Sequence, residues 1–320
     1  MAIKLITLGE RFYKKYVERE ILNHRHLVHP HIVSFKEVFV TSNHLAIVME
    51  FVGGGNLQSW VERHHRLAEW QARCFFQQLI LALHYSHKSA GIAHRDIKLG
   101  NILLNDKYQV PILKLCDFGY SKDSWQGSLP KTRVGTAAYI SPEVARANVS
   151  TVQYDSEKAD VWSSAVTLYC MVSGRYPFTD HGKAPQLYQI KNLRDADVST
   201  ALDLIPDVSA ECRGLLQECL RVDPAKRIGL DDIIENAWFR QYLPDISKMI
   251  SKPPQHIQTE DEILLVLNQA EKRSQEIVSL QSRTEFDDEA AMEVADEVLR
   301  EMDDPTRSTG PMEDTLQHTN

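Results

Sequence analysis

Two short motifs in the first half of the chain constrain its fold more than any other feature. The first, His-Arg-Asp-Ile-Lys-Leu-Gly-Asn, ends at Asn101, and the second, Asp-Phe-Gly, begins at Asp117. Within the first motif, Asp96 is suited to accept a hydroxyl proton and Lys98 to neutralise a phosphate. Asn101 and Asp117 offer the oxygen ligands that a hard ion such as Mg²⁺ takes. Either motif alone would be weak evidence, but the two in this order and at this spacing predict a phosphoryl-transfer site.

The composition places the chain among ordinary globular proteins, with 43% hydrophobic and 25% charged residues. No apolar run approaches the roughly 20 residues that a membrane span needs, and the N-terminus lacks a signal-peptide pattern. We therefore expect no membrane association. The five cysteines include no Cys-x-x-Cys pair, which favours reduced thiols and a cytoplasmic or nuclear location.

Charge is distributed unevenly along the chain. Residues 255–320 contain 17 acidic and 5 basic residues, whereas residues 1–254 contain 27 acidic and 31 basic ones. The body is mildly basic and the tail is strongly acidic, so no nucleic-acid partner is expected.

With its two motifs the chain resembles the eukaryotic protein kinases. The resemblance implies an α+β, bilobal kinase-like fold that uses ATP and Mg²⁺ and acts on serine or threonine of protein substrates. We expect an incomplete small lobe at 1–52, with a small antiparallel sheet and one helix, and a large, mainly helical catalytic lobe at 53–243. An acidic regulatory tail should occupy 244–320, with a helix near 259–277 and partial disorder after it.

The start of the chain resembles the part of a kinase that holds the nucleotide. Ala-Ile-Lys, ending at Lys4, is similar to the strand whose lysine pairs with nucleotide phosphates, and Glu20 lies in a helical stretch at the usual distance for its partner. The alternative for Glu20 is a solvated glutamate on the helix surface. Glu50 and Val52 would offer backbone groups to the adenine edge. The resemblance assigns nucleotide binding to Ala2, Lys4, Glu20, Met49, Glu50, Val52 and Leu103.

The chain contains no Gly-x-Gly-x-x-Gly, the loop with which kinases cover the phosphates, and Gly-Gly-Gly at 53–55 lies instead at the expected hinge. Three hypotheses stay open at this point. The chain is an ATP-dependent kinase; or it is a non-catalytic kinase-like binding and regulatory module; or its first residue is not the start of the gene product. The retained base, lysine and metal ligands favour the first hypothesis.

Residues 117–143 resemble a kinase activation segment. Ser128 and Thr132 fall on its phosphorylation sites, and Arg95, directly before the base, is suited to pair with a phosphate there. Ordinary loop hydroxyls are the alternative.

Three further sets of residues take their roles from the same resemblance. Thr136, together with Lys98, is typical of serine/threonine kinases, and its hydroxyl would bridge Asp96 and Lys98. Glu143 and Arg227 occupy the places of a buried ion pair beneath the activation segment. In the same way, Asp160 would brace the catalytic loop by accepting backbone hydrogen bonds.

Four segments narrow the resemblance to one subfamily. They read Ile-Leu-Asn-His-Arg at 21–25, His-Leu-Ala-Ile-Val-Met-Glu at 44–50, Phe-Gly-Tyr-Ser-Lys at 118–122 and Val-Gly-Thr-Ala-Ala-Tyr-Ile at 134–140. These are similar to the sucrose-non-fermenting-1-related kinases of subfamily 2, the osmotic-stress and abscisic-acid-linked kinases of plants and algae. The resemblance implies a role in stress signalling, an upstream activating kinase and a type-2C protein phosphatase as partners.

The tail begins with a helix signal. Thr259, with Glu262 three residues later, forms a capping-box pattern. In the subfamily a similar segment packs on the small-lobe helix and supports the active state, so we expect docking near residues 13–24. A helix that dimerises or stays half-ordered is the alternative, and residues 289–302 are a second candidate helix. The apolar face of the first helix comprises Ile263, Val266, Leu267 and Ala270.

Overall fold

The computed structural model of the chain describes residues 1–107, 110–118, 136–147, 154–179, 185–243 and 258–280. The small lobe contains a three-stranded antiparallel sheet in the order β1-β3-β2 and one helix. Its elements are β1 (Ala2–Thr7), α1 (Lys14–His26), β2 (Phe35–Val40) and β3 (His44–Met49).

The burial of each strand follows from its sequence. The central strand β3 carries a continuous apolar run, Leu45 to Val48, and all four side chains are buried. In β1 the side chains alternate, so that Ile3 and Leu5 are exposed while Lys4 lies half-buried on the opposite face. This alternation places Lys4 on the face that is directed toward α1.

The large lobe is mainly helical, with a two-stranded antiparallel sheet. Its central helices α3 and α5 are packed against each other and are buried over most of their length. The α+β, bilobal prediction is thereby confirmed. The elements are α2 (Leu57–His64), α3 (Glu69–His84), β4 (Ile102–Asn105), β5 (Ile112–Leu115), α4 (Pro142–Arg146), α5 (Ser156–Ser173), α6 (Leu187–Lys191), α7 (Asp195–Asp203), α8 (Ala210–Cys219), α9 (Leu230–Glu235) and α10 (Ala237–Arg240).

The segment between α1 and β2 joins the two lobes at the rear. The backbone N–H of Val33 donates to Leu115 O at 2.9 Å, and the N–H of Leu115 donates to His31 O at 2.8 Å. The segment thereby extends the β4–β5 sheet of the large lobe. Nδ1 of His31 also bonds the carbonyl of Leu113 at 3.2 Å. Burial, together with the nearby charge of Lys114, lowers the pKa of His31 to about 4.

This depressed pKa predicts a pH-dependent stability. Because His31 is neutral in the fold, the unfolded chain binds a proton between pH 6.5 and pH 4 that the folded chain does not bind, so acidification destabilises the fold. Between pH 7 and pH 5 the expected loss from this residue is about 2 kcal/mol. The variant His31→Asn keeps a side-chain donor for the Leu113 carbonyl but cannot titrate in this range. In this variant the pH-dependent loss of unfolding free energy due to His31 should be absent, which urea unfolding at pH 7 and pH 5 measures. A wild-type-to-variant difference that is the same at both values would contradict the assignment.

A last helix, α11 (260–280), packs on the small lobe. Its Ile263, Leu267 and Ala270 are fully buried in a cluster with apolar residues of α1 and of the sheet, among them Ile21 and Val38. The helix therefore covers the surface of the small lobe.

Polar contacts at both ends fix the position of α11. The side-chain amide of Gln258 accepts from Val38 N at 2.9 Å and donates to Val38 O at 3.1 Å. Near the other end, the Ser274 hydroxyl bonds both the N–H and the carbonyl of Gly9 at 2.8 Å. Gly9 has a φ of 131°, which side-chain-bearing residues rarely adopt. The helix therefore holds the loop between β1 and α1.

Candidate active site

The catalytic loop is held in shape by the buried carboxylate of Asp160 on α5. This carboxylate accepts the backbone N–H groups of His94 and Arg95, both at 2.8 Å, and bonds Nε2 of His87 at 2.8 Å. Burial favours the neutral acid, but the hydrogen bonds from His87 and His94 outweigh it, so the pKa of Asp160 lies below its ordinary value. The bonds also stabilise the left-handed backbone of Arg95, whose φ is 67°. Asp160 thus sets the conformation that leads into Asp96.

Asp96 forms a compact cluster with two neighbours on the same loop. Its Oδ2 accepts from Lys98 Nζ at 2.7 Å and from Asn101 Nδ2 at 2.8 Å, and its backbone carbonyl accepts from Asn101 Nδ2 at 2.8 Å. The Asn101 amide nitrogen is thereby engaged. Among the described residues, no protein group donates to the side-chain oxygen of Asn101 or to Oδ1 of Asp96.

The second motif lies directly beside this cluster. The N–H of Cys116 donates to Asn101 O at 3.0 Å, which holds the residue before Asp117 next to the catalytic loop. Asp117 itself has a φ of 66° and a partly exposed carboxylate. Burial, with the neighbouring charge of Asp117, raises the pKa of Cys116 to about 12, so this cysteine is a protonated, inert thiol at neutral pH.

Asn101 and Asp117 fit a magnesium ion. Both supply oxygen, and Mg²⁺ in phosphoryl-transfer sites takes one or two carboxylates together with substrate phosphates and water rather than a full protein cage. No cluster of three or more His, Cys, Asp or Glu side chains suited to a metal occurs in the part of the chain that the structure describes. Two oxygen donors of this kind would suit an ion that takes its remaining ligands from a nucleotide and from water.

On the small-lobe side, Lys4 reaches two carboxylates. Its Nζ lies 2.5 Å from Glu20 Oε1 on α1 and 3.3 Å from Asp117 Oδ1. Burial lowers the pKa of Lys4, but the charges of Glu20 and Asp117 outweigh it and hold that pKa above its ordinary value. Lys4 is therefore a fixed cation in the cleft at neutral pH, which suits it to a phosphate.

The residues predicted to contact adenine lie where β3 leaves the sheet. Ala2 on β1 pairs with Met49, and both side chains are half-buried. Glu50 follows, and its N–H donates to Ser34 O at 2.9 Å. Leu103 lies on β4 and forms a β-bridge with Asn56, just after the hinge segment that contains Val52.

The three glycines at 53–55 belong to this hinge. The N–H of Gly54 donates to Leu104 O at 2.8 Å. A Cβ at Gly54 would lie 2.4 Å from that oxygen, so the close approach of the hinge to β4 requires glycine there. These glycines serve the connection between the lobes.

A stack of four rings runs through the molecule behind the cleft. Phe118 packs edge-on against His94, with ring centroids 4.6 Å apart, and stacks on His24 of α1 at 6.0 Å. His24 in turn meets Phe35 at 6.1 Å. Burial lowers the pKa of His24, and its Nε2 bonds Val33 O at 2.7 Å. We did not predict His24 from the sequence, and the only signal was its spacing of one helical turn from Glu20.

Arg95, directly before Asp96, is partly buried and directs its guanidinium toward the start of α5. One nitrogen donates to Ser156 Oγ at 3.0 Å, and the group lies 5.8 Å from the ring centre of Tyr154. Its Nε and its other terminal nitrogen are buried and have no acceptor among the described residues. A buried donor pair of this kind is suited to an anion.

The predicted ion pair of the large lobe is present in bidentate form. The two terminal nitrogens of Arg227 lie 2.7 and 2.9 Å from the carboxylate oxygens of Glu143. Arg227 also donates to the carbonyls of Lys158 and Arg221 and covers the Trp162 ring. The pair anchors α4 to the end of the lobe.

Three predicted residues are not placed by these contacts. Ser128 and Thr132 lie outside the described residues. Thr136 begins a short 3-10 turn, Thr136–Tyr139, for which the structure describes the backbone of Thr136 but not its side chain. The other predicted catalytic and metal-binding residues are brought together in one cleft, with Lys4 and Glu20 on the small-lobe side.

Most of the chain matches one family of known proteins. The family profile described as the protein kinase domain matches residues 1–239. The chain belongs to the protein kinase family. Members of this family use ATP and Mg²⁺ and act on protein substrates.

The kinase has plant relatives at substantial identity. It is 44% identical over 275 residues to serine/threonine-protein kinase SRK2C of Arabidopsis thaliana, covering 85% of this chain and 77% of that protein. It is 44% identical over 280 residues to SRK2A of Physcomitrium patens, covering 84% and 77%. With SAPK3 of Oryza sativa subsp. indica it shares 43% over 279 residues, covering 84% and 80%. The resemblance to subfamily 2 is confirmed.

Within the described ranges, no helix of the kinase combines the length and the apolar character needed to cross a bilayer.

Proposed function

We propose that this chain is a serine/threonine protein kinase that transfers the γ-phosphoryl group of ATP to protein hydroxyls in stress signalling, in the cytoplasm or nucleus. One observation carries the proposal. The contacts Glu20–Lys4–Asp117 and Lys98–Asp96–Asn101 meet in one cleft, where Cys116 joins them through its bond to Asn101.

Each side chain has a distinct task in this proposal. Asp96 accepts the substrate hydroxyl proton at its carboxylate and orients the oxygen for attack. Lys98 and Lys4 neutralise charge on the phosphoryl oxygens, and Glu20 keeps Lys4 aimed. Asn101 and Asp117 hold Mg²⁺, which when bound neutralises phosphate charge and aligns the groups.

No finding favours the non-catalytic binding module, the second hypothesis from the sequence. The retained geometry argues against it, because a chain selected for binding alone has no need to keep Asp96 engaged by both Lys98 and Asn101.

A phosphotransfer assay tests the proposal. With γ-labelled ATP and Mg²⁺, we expect label on serine and threonine peptides, none on a matched tyrosine peptide, and loss of transfer in EDTA. Saturable MgATP binding without transfer to any peptide, including after treatment with an activating kinase, would favour the binding module.

Activation by phosphate on the segment around Ser128 and Thr132 is part of the proposal. The supporting observation is the buried Arg95 guanidinium, whose free donors suit a phosphate. An upstream kinase would add this phosphate and a type-2C phosphatase would remove it.

We further propose that α11 supports activity by holding the β1–α1 loop. Leu267→Asp places a charge in the buried cluster and should undock the helix, so activity should fall at least about tenfold, because a buried unpaired charge costs several kcal/mol. Leu265→Asp is the matched control, since Leu265 is 59% exposed on the same helix and Leu267 is 0% exposed. Equal activity of the two variants, with protection from hydrogen exchange retained in α1, would contradict the role.

A further inference from the structure

The side chain of Glu50 connects the hinge to both lobes. Its Oε2 accepts from Lys114 Nζ at 2.9 Å and from the backbone N–H of Ser34 at 3.2 Å. The N–H of Glu50 in turn donates to Ser34 O at 2.9 Å. Ser34 precedes β2 of the small lobe, whereas Lys114 lies on β5 of the large lobe. One carboxylate oxygen therefore receives a donor from each lobe.

The lysine end of this contact is shielded from solvent. Lys114 pairs with Leu103 in the β4–β5 ladder, and its side chain is 12% exposed, against 25% for Glu50. Solvent screens an ion pair with this degree of burial less than a surface pair, so the attraction between Lys114 and Glu50 is stronger than that of an exposed pair.

The hinge backbone that begins at Glu50 is the segment that would face the nucleotide. The resemblance to kinases implies that Glu50 and Val52 offer backbone groups to the adenine edge; the carbonyl of Glu50 would accept from the adenine amino group and the N–H of Val52 would donate to the adenine ring. Neither group has a backbone partner among the described residues. A displacement of this peptide by even a fraction of an ångström weakens both bonds, because hydrogen bonds depend steeply on distance and angle.

We propose that Lys114 is a positioning residue for the nucleotide, which fixes the adenine-binding peptide of the hinge through the Glu50 carboxylate. This inference rests on the proposed function. Lys114 touches neither the nucleotide nor the reacting atoms in this proposal. It acts on the adenine end of the site, whereas Lys4 acts on the phosphate end.

Titrating the chain with adenosine and with MgATP distinguishes an effect on adenine binding from an effect on phosphate binding. Lys114→Met should raise the Kd of both ligands by the same factor, about threefold to tenfold, which corresponds to the loss of one well-placed hydrogen bond. At saturating ATP, kcat should stay within about twofold, because the catalytic cluster is intact. Lys114→Arg, which keeps a cation within reach of Glu50, should restore most of the affinity.

Lys88→Met is the matched control. Lys88 bridges Glu157 and Asp231 at 3.0 Å each on the large lobe, so its loss removes a lysine that pairs with carboxylates but does not contact Glu50, and both Kd values should stay unchanged. Glu50→Gln should reproduce the effect of Lys114→Met. The double variant should have the same Kd values as either single variant, since the two side chains act as one unit.

Three results would overturn the inference. The first is an unchanged Kd in Lys114→Met with only a lower unfolding temperature, which indicates a structural role. The second is a weaker affinity for MgATP but not for adenosine, which places the effect at the phosphates. The third is a wild-type chain that binds neither ligand, a result that removes the proposed function itself and is thereby distinguishable from the other two.

Discussion

Asp96→Asn should lower kcat by about 10²–10⁴-fold, the usual contribution of a positioned general base. The amide cannot accept the hydroxyl proton, and it replaces an anion that holds both Lys98 and Asn101. Binding of MgATP should change little, because Asn101 and Asp117 retain their oxygens. The measurement is steady-state phosphorylation of a serine peptide at saturating MgATP, together with calorimetric titration of the nucleotide.

Two other Asp→Asn variants serve as controls for this prediction. Asp231→Asn removes an exposed carboxylate of the large lobe and should leave kcat unchanged. Asp117→Asn should weaken Mg²⁺-dependent binding, which separates the metal ligand from the base. A rate for Asp96→Asn within about threefold of wild type would contradict the role of Asp96 as the base.

Arg227→Leu should destabilise the fold by about 3–5 kcal/mol, because it leaves the Glu143 carboxylate half-buried without its partner. The variant also removes the donors that the carbonyls of Lys158 and Arg221 receive. Urea unfolding at pH 7 measures the difference. Lys226→Leu, at an exposed neighbouring position, should change stability by less than about 1 kcal/mol.

The double variant Glu143→Leu/Arg227→Leu tests the cause. If the cost comes from an unpaired charge, removing both partners should recover part of the stability. A double variant that is less stable than Arg227→Leu alone would show that the loss comes from packing against Trp162 instead.

The sequence was sufficient for the residues that lie within short motifs. Asp96, Lys98 and Asn101 are neighbours along the chain, so the loop that holds them together is specified locally. The fold class followed from the same motifs through the resemblance. Thr259 and Glu262 likewise form the predicted capping box, with bonds of 2.7 to 3.3 Å, because such a box depends on spacing alone.

The sequence predicted helix boundaries less accurately where tertiary contacts determine the end of the helix. The apolar pattern predicts one helix over 67–89, whereas α3 ends at His84 and a π-helical turn, Tyr85–Ser89, follows. There the Ser86 hydroxyl donates to Ile92 O and the Ile92 N–H donates to Ser86 O. These bonds turn the chain toward the catalytic loop, and periodicity carries no information about them.

The contacts that connect distant segments were not predictable from one sequence. His24 enters the ring stack and Lys114 reaches Glu50 because the fold brings four separate segments together. The bonds between Ser274 and Gly9 depend on the backbone conformation of a loop 265 residues away. Such contacts depend on how distant segments pack in the folded chain, and a local sequence pattern does not contain that information.

The central claim is that this cleft binds MgATP through Asn101, Asp117 and Lys4 for phosphoryl transfer. Calorimetric titration of ATP into the full chain, with and without Mg²⁺ and with Asp117→Asn alongside, tests it most directly. The account predicts saturable binding that requires Mg²⁺ and is strongly weakened in the variant. No saturable binding, or binding that is indifferent to both Mg²⁺ and Asp117, would contradict it.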